Sequence, residues 1–326
     1  MNICFLENTL FQYNANDLYS NKLRGAESVL INLSNALANN GHKVTVINNC
    51  KQNEVINNVK WLNINNYNNK GYFDLAFSNN DTRLFDKIEA KKKILISHSL
   101  QSIEKFIRKK QLKSYLKHRP KVLLISDYHQ QNRSRLLKLF GFIKSGWAVD
   151  DIFIKTNIVE KKPENTAIFT SKSDRNLDLL LNIWKELIYP NIKNCKLLVP
   201  SSNIDLNHES IVVRERGSQK DLINDLLSSK IYLIPGHKAE LFCLAAEEAR
   251  ELCIPIVTLG IGCLSERVEH GYTGFVANNR EEFANYTIKL FKDDNLYNEF
   301  RKNLLKKRGF NNWNNTAKKI IDLSIK

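Results

Sequence analysis

Two glutamates with seven residues between them, Glu240 and Glu248, are the first candidates for chemistry. A helix through Leu244 to Leu252 would carry Glu248, whereas Glu240 lies upstream in the loop that Pro235-Gly236-His237 opens. The two carboxylates would therefore lie at different ends of one ligand. Carboxylates accept bidentate hydrogen bonds from vicinal hydroxyls, so one carboxylate can hold a ribose and the other a hexose. The alternative is a surface helix with two ordinary glutamates.

A glycine-rich turn follows these glutamates, after a buried strand predicted at Ile254 to Thr258. The turn begins at Gly260 and leads to Ser265, which could cap a helix. Free amides at a helix N-terminus bind anions, aided by the helix dipole. The amides that would face the anion are those of Gly262, Cys263 and Leu264. This order of parts predicts a nucleotide-sugar site, and the alternative is a tight turn without a ligand.

A basic residue for the diphosphate is predicted near the first strand of the second half of the chain. Arg175 follows that strand, at the start of the next helix, and a guanidinium can bind phosphate bidentately. Lys172 is the competing candidate. The alternative for Arg175 is a plain salt bridge with Asp174.

Two residues of the first half are further candidates. Gly25 opens the first helix after a long loop, and a glycine there allows close approach of the backbone to a ligand. His98 ends a buried strand, where it could donate to a sugar hydroxyl or polarise a phosphate. A lone histidine is more often structural, and His129 is a weaker candidate of the same kind.

Signature motifs of several other enzyme classes are absent from the sequence. It has no Asp-x-Asp pair to hold a divalent metal on a diphosphate, so we expect amides with Arg or Lys to bind the diphosphate and no metal or other cofactor. It also has no Gly-x-Ser-x-Gly, no Walker-type Gly-x4-Gly-Lys-Ser/Thr and no Gly-x-Gly-x-x-Gly at its first strand. These absences disfavour hydrolases, P-loop enzymes and ordinary dehydrogenases.

The elements that must position these residues follow a repeated pattern. Short apolar runs alternate with helical periods, which is typical of βα units with parallel sheets. In the first half, strands are predicted at Ile3 to Leu6, Val44 to Ile47, Phe73 to Phe77, Ile94 to Ser97 and Val122 to Ser126. In the second half, they are predicted at Ala167 to Thr170, Leu197 to Val199, Ile211 to Val213, Ile231 to Ile234 and Ile254 to Thr258. The fold class is therefore α/β, with two Rossmann-like halves.

The two halves are predicted to be separate domains. The periodicity breaks between Trp147 and Lys162, which divides the chain into domains at residues 1–150 and 151–310, and a C-terminal helix over 311–326 would pack back on the first domain. Ligands of such sheets bind beyond the carboxyl ends of the strands, so we expect them in a cleft between the domains.

The composition indicates a globular protein with an acidic partner. No apolar run is long enough for a signal peptide or a membrane span, so we expect a cytoplasmic location, and the six cysteines should be reduced core thiols. A net charge of +15 favours nucleic acid, an anionic membrane or a phosphorylated small molecule. The oligomeric state is not predicted.

Much of the positive charge lies in residues 102–121, interleaved with apolar residues. The apolar positions form two short stripes that are out of phase, so two short helices or a kink are predicted. Such a segment can lie on anionic lipid headgroups, which would make the protein peripheral on the inner face of a membrane. The alternative is a solvated helix face.

Taken together, these residues resemble the retaining glycosyltransferases of family four, which have the GT-B fold of two facing Rossmann-like domains. The resemblance covers most of the chain. The residues that carry it are Gly25-Ala26-Glu27, Gly41 to Val46, Ser126 with His129, and the stretch from Glu240 to Val276.

The resemblance implies a role for each candidate residue. Glu240 would contact hydroxyls of the transferred sugar, and Glu248 the ribose of the nucleotide. Arg175, with the amides after Gly260, would bind the diphosphate. His98 is similar to the family's cleft histidine near the donor sugar.

The resemblance also implies the reaction. A sugar would move from a nucleoside diphosphate, bound by domain 151–310, to a hydroxyl of a glycan or lipid-linked acceptor, bound by domain 1–150, with retention of configuration and without a metal. The sequence departs from the family pattern at Arg24 and Asn176, where glycine is usual, and at Leu241 and Cys243, where Glu-Gly-Phe-Gly is common.

Two other interpretations remain open. A nucleotide-sugar epimerase or a glycogen-type phosphorylase could share the fold. A non-catalytic nucleic-acid-binding protein would explain the positive charge, but the sequence has no recognisable RNA- or DNA-binding motif, so we expect no nucleic-acid partner.

Overall fold

The computed structural model describes residues 1–20, 23, 25–68, 70–158, 164–215 and 217–325. The chain forms two compact units, Met1–Trp147 with Trp313–Lys326, and Ala148–Asn312. The predicted boundary at residue 150 came from a break in periodicity that extends to Lys162. Of this stretch, Lys161 and Lys162 lie outside the described residues.

The first unit is built on a mainly parallel sheet. Its strands are β1 (Asn2–Leu6), β2 (Lys43–Asn48), β3 (Glu54–Ile56), β4 (Val59–Asn63), β5 (Tyr72–Asn79), β6 (Glu89–Ile96), β7 (Lys121–Leu124) and β8 (Phe142–Lys144). Over the described residues their order is β3-β4-β2-β1-β5-β6-β7-β8. All neighbours pair in parallel except β3 and β4, which form an antiparallel hairpin. The central strands β1 and β5 are almost wholly buried, which explains their continuous apolar runs.

Helices pack beside this sheet. They are α1 (Gly25–Asn39), α2 (Ile103–Arg108), α3 (Leu112–His118) and α4 (Asp127–Asn132). The apolar face of α1 is buried, and Gly41 follows the helix with a φ of +84°, a left-handed conformation that commonly ends helices. The prediction of two short helices in the basic segment is confirmed by α2 and α3. Lys110, between them, has a φ of +54°, which breaks the helical path.

The second unit contains a parallel sheet and six helices over its described residues. Its strands are β9 (Thr166–Ile168), β10 (Lys196–Pro200), β11 (Ile211–Arg214), β12 (Ile231–Gly236), β13 (Ile256–Ile261) and β14 (Gly274–Val276), in the order β11-β10-β9-β12-β13-β14. Its helices are α5 (Asp151–Lys155), α6 (Leu177–Ile183), α7 (Gln219–Ser228), α8 (Leu244–Glu251), α9 (Arg280–Lys292) and α10 (Asp294–Lys307). A π-helical turn at Trp184–Ile188 extends α6 and buries Trp184 and Ile188.

The last helix, α11 (Trp313–Ile325), returns to the first unit. It packs on α1 and β8, and it buries Trp313, Ala317 and Ile320. All six cysteines lie in the described part of the chain, and each is a buried, free thiol, as predicted. Among the described helices, none combines the length and the apolar character that crossing a bilayer requires.

Candidate functional site

In the second unit, Arg175 and Glu240 lie together beyond the carboxyl ends of adjacent strands. Arg175 follows β9 and Glu240 follows β12, and these two strands pair in parallel. Arg175 Nε lies 3.8 Å from Glu240 Oε2, and both side chains are about four-fifths buried, with 22% and 17% exposed. A separation of 3.8 Å is an ion pair but too long for a hydrogen bond, so the guanidinium keeps donors for another ligand. Arg175 Nε also lies 3.9 Å from the exposed carboxylate of Asp174.

His237 completes this group and was not among the predicted site residues. Its Nδ1 accepts a hydrogen bond of 3.0 Å from the amide of Ala239, which assigns the ring proton to Nε2. Arg175 Nη1 lies 3.3 Å from the same Nδ1. The sequence signal for His237 was present in Pro235-Gly236-His237, which we interpreted only as the start of the loop.

The electrostatics of Glu240 reflect burial and nearby cations. Burial raises the pKa of Glu240, while the charges of Arg175 and Lys172 act to lower it and that of Asp174 acts to raise it. Lys172 is exposed, but its charge still reaches this carboxyl group. Positive charge therefore collects beside Glu240, which is what a diphosphate-binding site requires.

Glu248 lies on α8 and is half-buried. Burial raises the pKa of Glu248 to about 7, and the charge of Asp150 contributes to the rise. Burial also raises the pKa of the Cys243 thiol, and both Glu240 and Glu248 raise it further, so the two carboxylates lie within electrostatic range of one thiol. Over the described residues Glu248 has no ion pair or side-chain hydrogen bond, and its oxygens are therefore available to accept hydrogen bonds from hydroxyls.

The neighbouring Glu247 faces the protein interior instead. Its side chain is fully buried and pairs with Arg267 at 2.6 Å and with Arg250 at 3.0 Å. The Arg267 guanidinium also lies 4.5 Å from the centroid of the Phe242 ring. Glu247 therefore holds α8 against the segment that follows the glycine turn, and it has a structural rather than a binding role.

The glycine turn differs from the prediction at two residues. Ser265 does not cap a helix: only a 3₁₀ turn, Leu264–Glu266, forms, and its N-cap residue is Cys263, without a side-chain capping bond. The amide of Cys263 donates to the carbonyl of Glu240 at 3.1 Å, so in this structure it is not free to bind an anion. The predicted role of Cys263 fails for that reason, while the amides of Gly262 and Leu264 remain candidates.

Close packing explains the glycine at position 262. A Cβ there would lie 2.3 Å from the carbonyl oxygen of His237 and 2.8 Å from that of Glu240. The φ of Gly262 is +76°, which also favours glycine. The turn therefore fixes the loop that carries Glu240.

Two of the departures from the family pattern lie where the backbone is left-handed. Asn176 has a φ of +63°, and its side-chain nitrogen Nδ2 donates to the carbonyl of Gly236 at 2.6 Å. Asparagine tolerates this conformation, and here its side chain also connects the Arg175 loop to the end of β12. Cys243 has a φ of +60° at the start of α8, a strain of roughly 1–2 kcal/mol. Leu241 is simply buried, and Arg24 lies outside the described residues.

In the first unit, a chain of hydrogen bonds runs from Glu7 to His98. Glu7 accepts hydrogen bonds from the hydroxyl of Tyr13 and from the side-chain amide of Asn79. The oxygen of that amide lies 2.8 Å from His98 Nε2. Since the Asn79 nitrogen is engaged with Glu7, its oxygen must accept, and His98 carries its proton on Nε2. The Nδ1 of His98 is therefore a hydrogen-bond acceptor.

Burial determines the charge of this group. It lowers the pKa of His98 to about 4, so the ring is neutral near pH 7, and it raises the pKa of Glu7 to about 7. The His98 ring stacks on Trp147 with centroids 5.9 Å apart, and it lines a cavity of about 160 Å³. Gly25 is the exposed first residue of α1.

His129 has a structural explanation. Its amide donates to the Ser126 side chain at 2.9 Å, which caps α4, so the Ser126-x-x-His129 spacing is that of a helix cap. Burial lowers the pKa of His129 to about 4, with a smaller contribution from the charge of His98.

Other features of the described residues lie apart from these groups. No three His, Cys, Asp or Glu side chains in the described ranges come together as a metal site. A cavity of about 600 Å³ in the second unit is lined by Thr166, Lys196 and Ile254 among others, at the amino ends of the strands. It therefore lies at the opposite edge of the sheet from Arg175 and Glu240.

Comparison with known families and proteins places this geometry in context. Residues 150–307 match the family described as "Glycosyl transferases group 1". This range is nearly all of the second unit, so the second unit is the part of the chain that is similar to this family. A search of curated proteins gave no match.

Solved structures are similar over almost the whole chain. WaaG, a glycosyltransferase involved in lipopolysaccharide biosynthesis, has a TM-score of 0.70 at 11% identity, over 99% of both chains. HepE from Anabaena, solved with UDP and glucose, has a TM-score of 0.69 at 12% identity, over 99% of both chains. Sucrose-phosphate synthase from Thermosynechococcus elongatus has a TM-score of 0.68 at 12% identity, over 99% of this chain and 98% of the other. The predicted GT-B fold, with two Rossmann-like units, is confirmed.

Proposed function

We propose that the protein is a retaining glycosyltransferase that moves a sugar from a nucleoside-diphosphate sugar to an acceptor hydroxyl without a metal ion. The observation that carries the proposal is the group formed by Arg175, Glu240 and Glu248 in the unit that matches group 1 glycosyltransferases. A cation with spare donors lies beside one carboxylate, and a second carboxylate nearby has no partner among the described residues.

Each member of the group has a role in donor binding. Arg175 binds the diphosphate, with Lys172 and the amides of Gly262 and Leu264 as further donors. Glu240 accepts hydrogen bonds from the hydroxyls of the transferred sugar. Glu248 accepts them from the ribose, for which its carboxylate form is the better acceptor. Because the pKa of Glu248 is about 7, nucleotide binding should strengthen as the pH rises through 7.

The chemistry proposed is attack of the acceptor from the face that the diphosphate leaves. The bond between the anomeric carbon and the phosphate oxygen breaks, and the acceptor oxygen bonds to the same face of that carbon. The leaving phosphate oxygen takes the acceptor's proton. Negative charge grows on the diphosphate as the bond breaks, and a fixed guanidinium stabilises that charge without reorganisation.

We propose that the first unit binds the acceptor, a glycan or lipid-linked glycan, as in lipopolysaccharide or glycolipid assembly. The neutral ring of His98 supports this assignment, because its Nδ1 can accept a hydrogen bond from a sugar hydroxyl. The proposal does not require His98 to carry charge.

The basic segment supports peripheral binding to an anionic membrane on its cytoplasmic face. Ile103, Ile107 and Leu116 are 41%, 58% and 46% exposed and lie among the cations of α2 and α3. Exposed apolar side chains beside cations suit a lipid interface. Flotation with vesicles rich in phosphatidylglycerol measures this: salt-sensitive binding is expected, and equal recovery with neutral vesicles would contradict it.

The experiment for catalysis is Arg175→Ala, assayed with the donor identified by a thermal-shift screen of nucleoside diphosphates and their sugar conjugates. Loss of one preorganised charge should lower kcat by roughly 10- to 1000-fold. Arg280→Ala is the matched control, because Arg280 pairs with Glu186 on an exposed surface. An unchanged kcat in Arg175→Ala would overturn the phosphate assignment.

The product identifies the reaction class. Proton NMR of the product should show a glycoside with the anomeric configuration of the donor. An isomerised sugar nucleotide would indicate an epimerase, a sugar phosphate would indicate a phosphorylase, and an inverted glycoside would exclude retention.

A further inference from the structure

Two neighbouring cavities in the first unit share three lining residues, Asn80, Lys109 and Gln111. The smaller, of about 160 Å³, is also lined by His98, and the larger, of about 400 Å³, by Asn79. Asn79 ends β5 and His98 follows β6, so both cavities open at the carboxyl ends of parallel strands. This edge is where ligands of such sheets bind.

Positive charge collects around these cavities without a counter-charge. Arg108, Lys109 and Lys110 line the larger cavity, and Lys105 with Lys109 lines the smaller. None of these four has an ion-pair partner in the part of the chain that the structure describes.

The acidic residue of the larger cavity does not balance these cations. Asp81 is already neutralised by Arg83, which binds it with a fork of hydrogen bonds, at 2.6 Å for the shortest. The net charge lining the larger cavity is therefore positive, and it comes from the α2–α3 turn.

Lys105 shows the effect of this crowding. Its ammonium donates to Ser99 Oγ at 2.6 Å, and its side chain is half-buried. Burial lowers the pKa of Lys105, and the charges of Lys109 and Arg108 lower it further. These cations repel one another because they lie close together, and a bound anion would relieve that repulsion.

The walls of the cavities are neutral and hydrogen-bonded. Gln111 is buried, and its side chain donates to the carbonyl of Asn80 at 3.1 Å. The side chain of Asn80 accepts from the His98 amide at 2.9 Å and from Gln101 at 3.3 Å. Fixed amides of this kind suit hydroxyl groups, whereas the cations suit phosphate.

We propose that these cavities bind a phosphorylated polyol, with its phosphate beside Lys109 and a hydroxyl beside His98. The larger cavity, at about 400 Å³, falls within the size range of small-molecule sites. This inference rests on the proposed function in one respect, which is that the phosphorylated polyol would be the acceptor. Binding of the compound does not depend on transfer.

The test is calorimetric titration of the full chain with inorganic phosphate and with glycerol 1-phosphate, in the Arg175→Ala background so that the donor site contributes little. Lys109→Gln should weaken binding by about tenfold or more, because it removes a charge-assisted contact to phosphate. Lys113→Gln is the matched control: Lys113 is exposed on α3, lines neither cavity and carries the same charge. The control should bind as the parent does.

A second arm distinguishes a free phosphate from a lipid headgroup. Vesicles of phosphatidylcholine with phosphatidic acid present the same phosphomonoester on a membrane. Binding that is reduced by Lys109→Gln and not by Lys113→Gln supports the site. If this pattern is seen with soluble phosphates, the ligand is a free phosphate, and if it is seen with these vesicles, the ligand is a lipid headgroup.

Two results would overturn the proposal. One is a parent protein that binds neither soluble phosphate nor phosphatidic acid. The other is equal loss in Lys109→Gln and Lys113→Gln, which would indicate a diffuse basic surface. Nucleoside-diphosphate binding and turnover are measured separately on the wild-type chain, so failure of the donor assignment would leave this result intact.

Discussion

The Glu7–Asn79–His98 chain makes a specific prediction about the charge of His98. Asn79→Asp replaces the amide that accepts the His98 Nε2 proton by a carboxyl group of nearly the same shape. The distance from Asn79 Oδ1 to His98 Nε2 is 2.8 Å, so a carboxylate there would contact the ring directly. Glu7 has a pKa of about 7 and is mostly protonated at pH 5 to 6, where its carboxylic acid can donate a hydrogen bond to the new carboxylate and so favour the ionised form of that group.

The magnitude follows from the distance and the burial. Unit charges about 4 Å apart attract by roughly 4 kcal/mol at an effective dielectric constant near 20, which is about 3 pKa units. Burial of the new carboxylate offsets part of this attraction, and shifts of roughly 1–3 units are typical for such pairs. The pKa of His98 should therefore rise from about 4 to between about 5 and 7.

The measurement is a proton NMR titration of the histidine rings, with His98 assigned from a His98→Gln variant. Asn80→Asp is the matched control, because Asn80 accepts from the backbone amide of His98 at 2.9 Å and its replacement adds the same charge away from Nε2. The effect of the control should be smaller. A His98 midpoint that stays near 4 in Asn79→Asp would refute the inferred hydrogen-bond direction.

Two further predictions concern the acidic residues of α8. Glu247→Ala should destabilise the protein by roughly 3–5 kcal/mol in urea denaturation, because it leaves Arg267, whose side chain is only 12% exposed, without its main partner. Glu269 is exposed, so Glu269→Ala should change stability by less than about 1 kcal/mol, and equal effects of the two substitutions would contradict the structural role of Glu247. For Glu248, burial raises the folded-state pKa from 4.5 to about 7, so the folded state binds the proton more tightly and stability falls as the pH rises from 4.5 to 7. Glu248→Gln removes this fall, and the variant should be more stable than the parent by roughly 1–3 kcal/mol at pH 8 and nearly equal to it at pH 4. A stability difference that does not change with pH would contradict the assignment.

Periodicity was sufficient where an element has a long buried face. The out-of-phase apolar stripes of residues 102–121 correctly predicted two helices. Each helix buries one aromatic residue, Phe106 in α2 and Tyr115 in α3, and leaves one apolar residue exposed, Ile107 in α2 and Leu116 in α3. The ten predicted strands were located for the same reason, whereas β3, β4, β8 and β14 were not predicted. Short elements carry too few residues for a period: β8 has three residues, of which only Ile143 is buried.

Local turn chemistry was harder to interpret. Asn57 and Asn58 both have positive φ, at 51° and 61°, and they connect β3 to β4 as a two-residue hairpin turn, a signal that was present but overlooked. Ser265 had the right residue type for a cap, but the chain forms only a 3₁₀ turn there. A cap depends on a helix that continues after it, and the residue type alone does not specify that continuation.

The binding groups were predicted only in part. Arg175 and Glu240 follow strands, and Glu248 lies in the middle of the helix that begins after the Glu240 loop, so their place at one edge of a sheet could be predicted from the strands. The hydrogen bond between Glu7 and Asn79 joins residues 72 positions apart, at the ends of β1 and β5. Those strands are neighbours only because of the strand order of the sheet, which one sequence does not specify.

Because α11 belongs to the first unit, the first unit is formed by two separate stretches of the chain. The second unit is an insertion between Trp147 and Trp313, whose rings lie 6.1 Å apart within the first unit. Excision of residues 148–312 therefore leaves two ends that a short glycine-serine linker can rejoin, and we expect both pieces to be obtained as separate recombinant proteins. The nucleotide proposed for the second unit and the phosphorylated polyol proposed for the first would then be titrated into separate proteins, each without interference from the other unit.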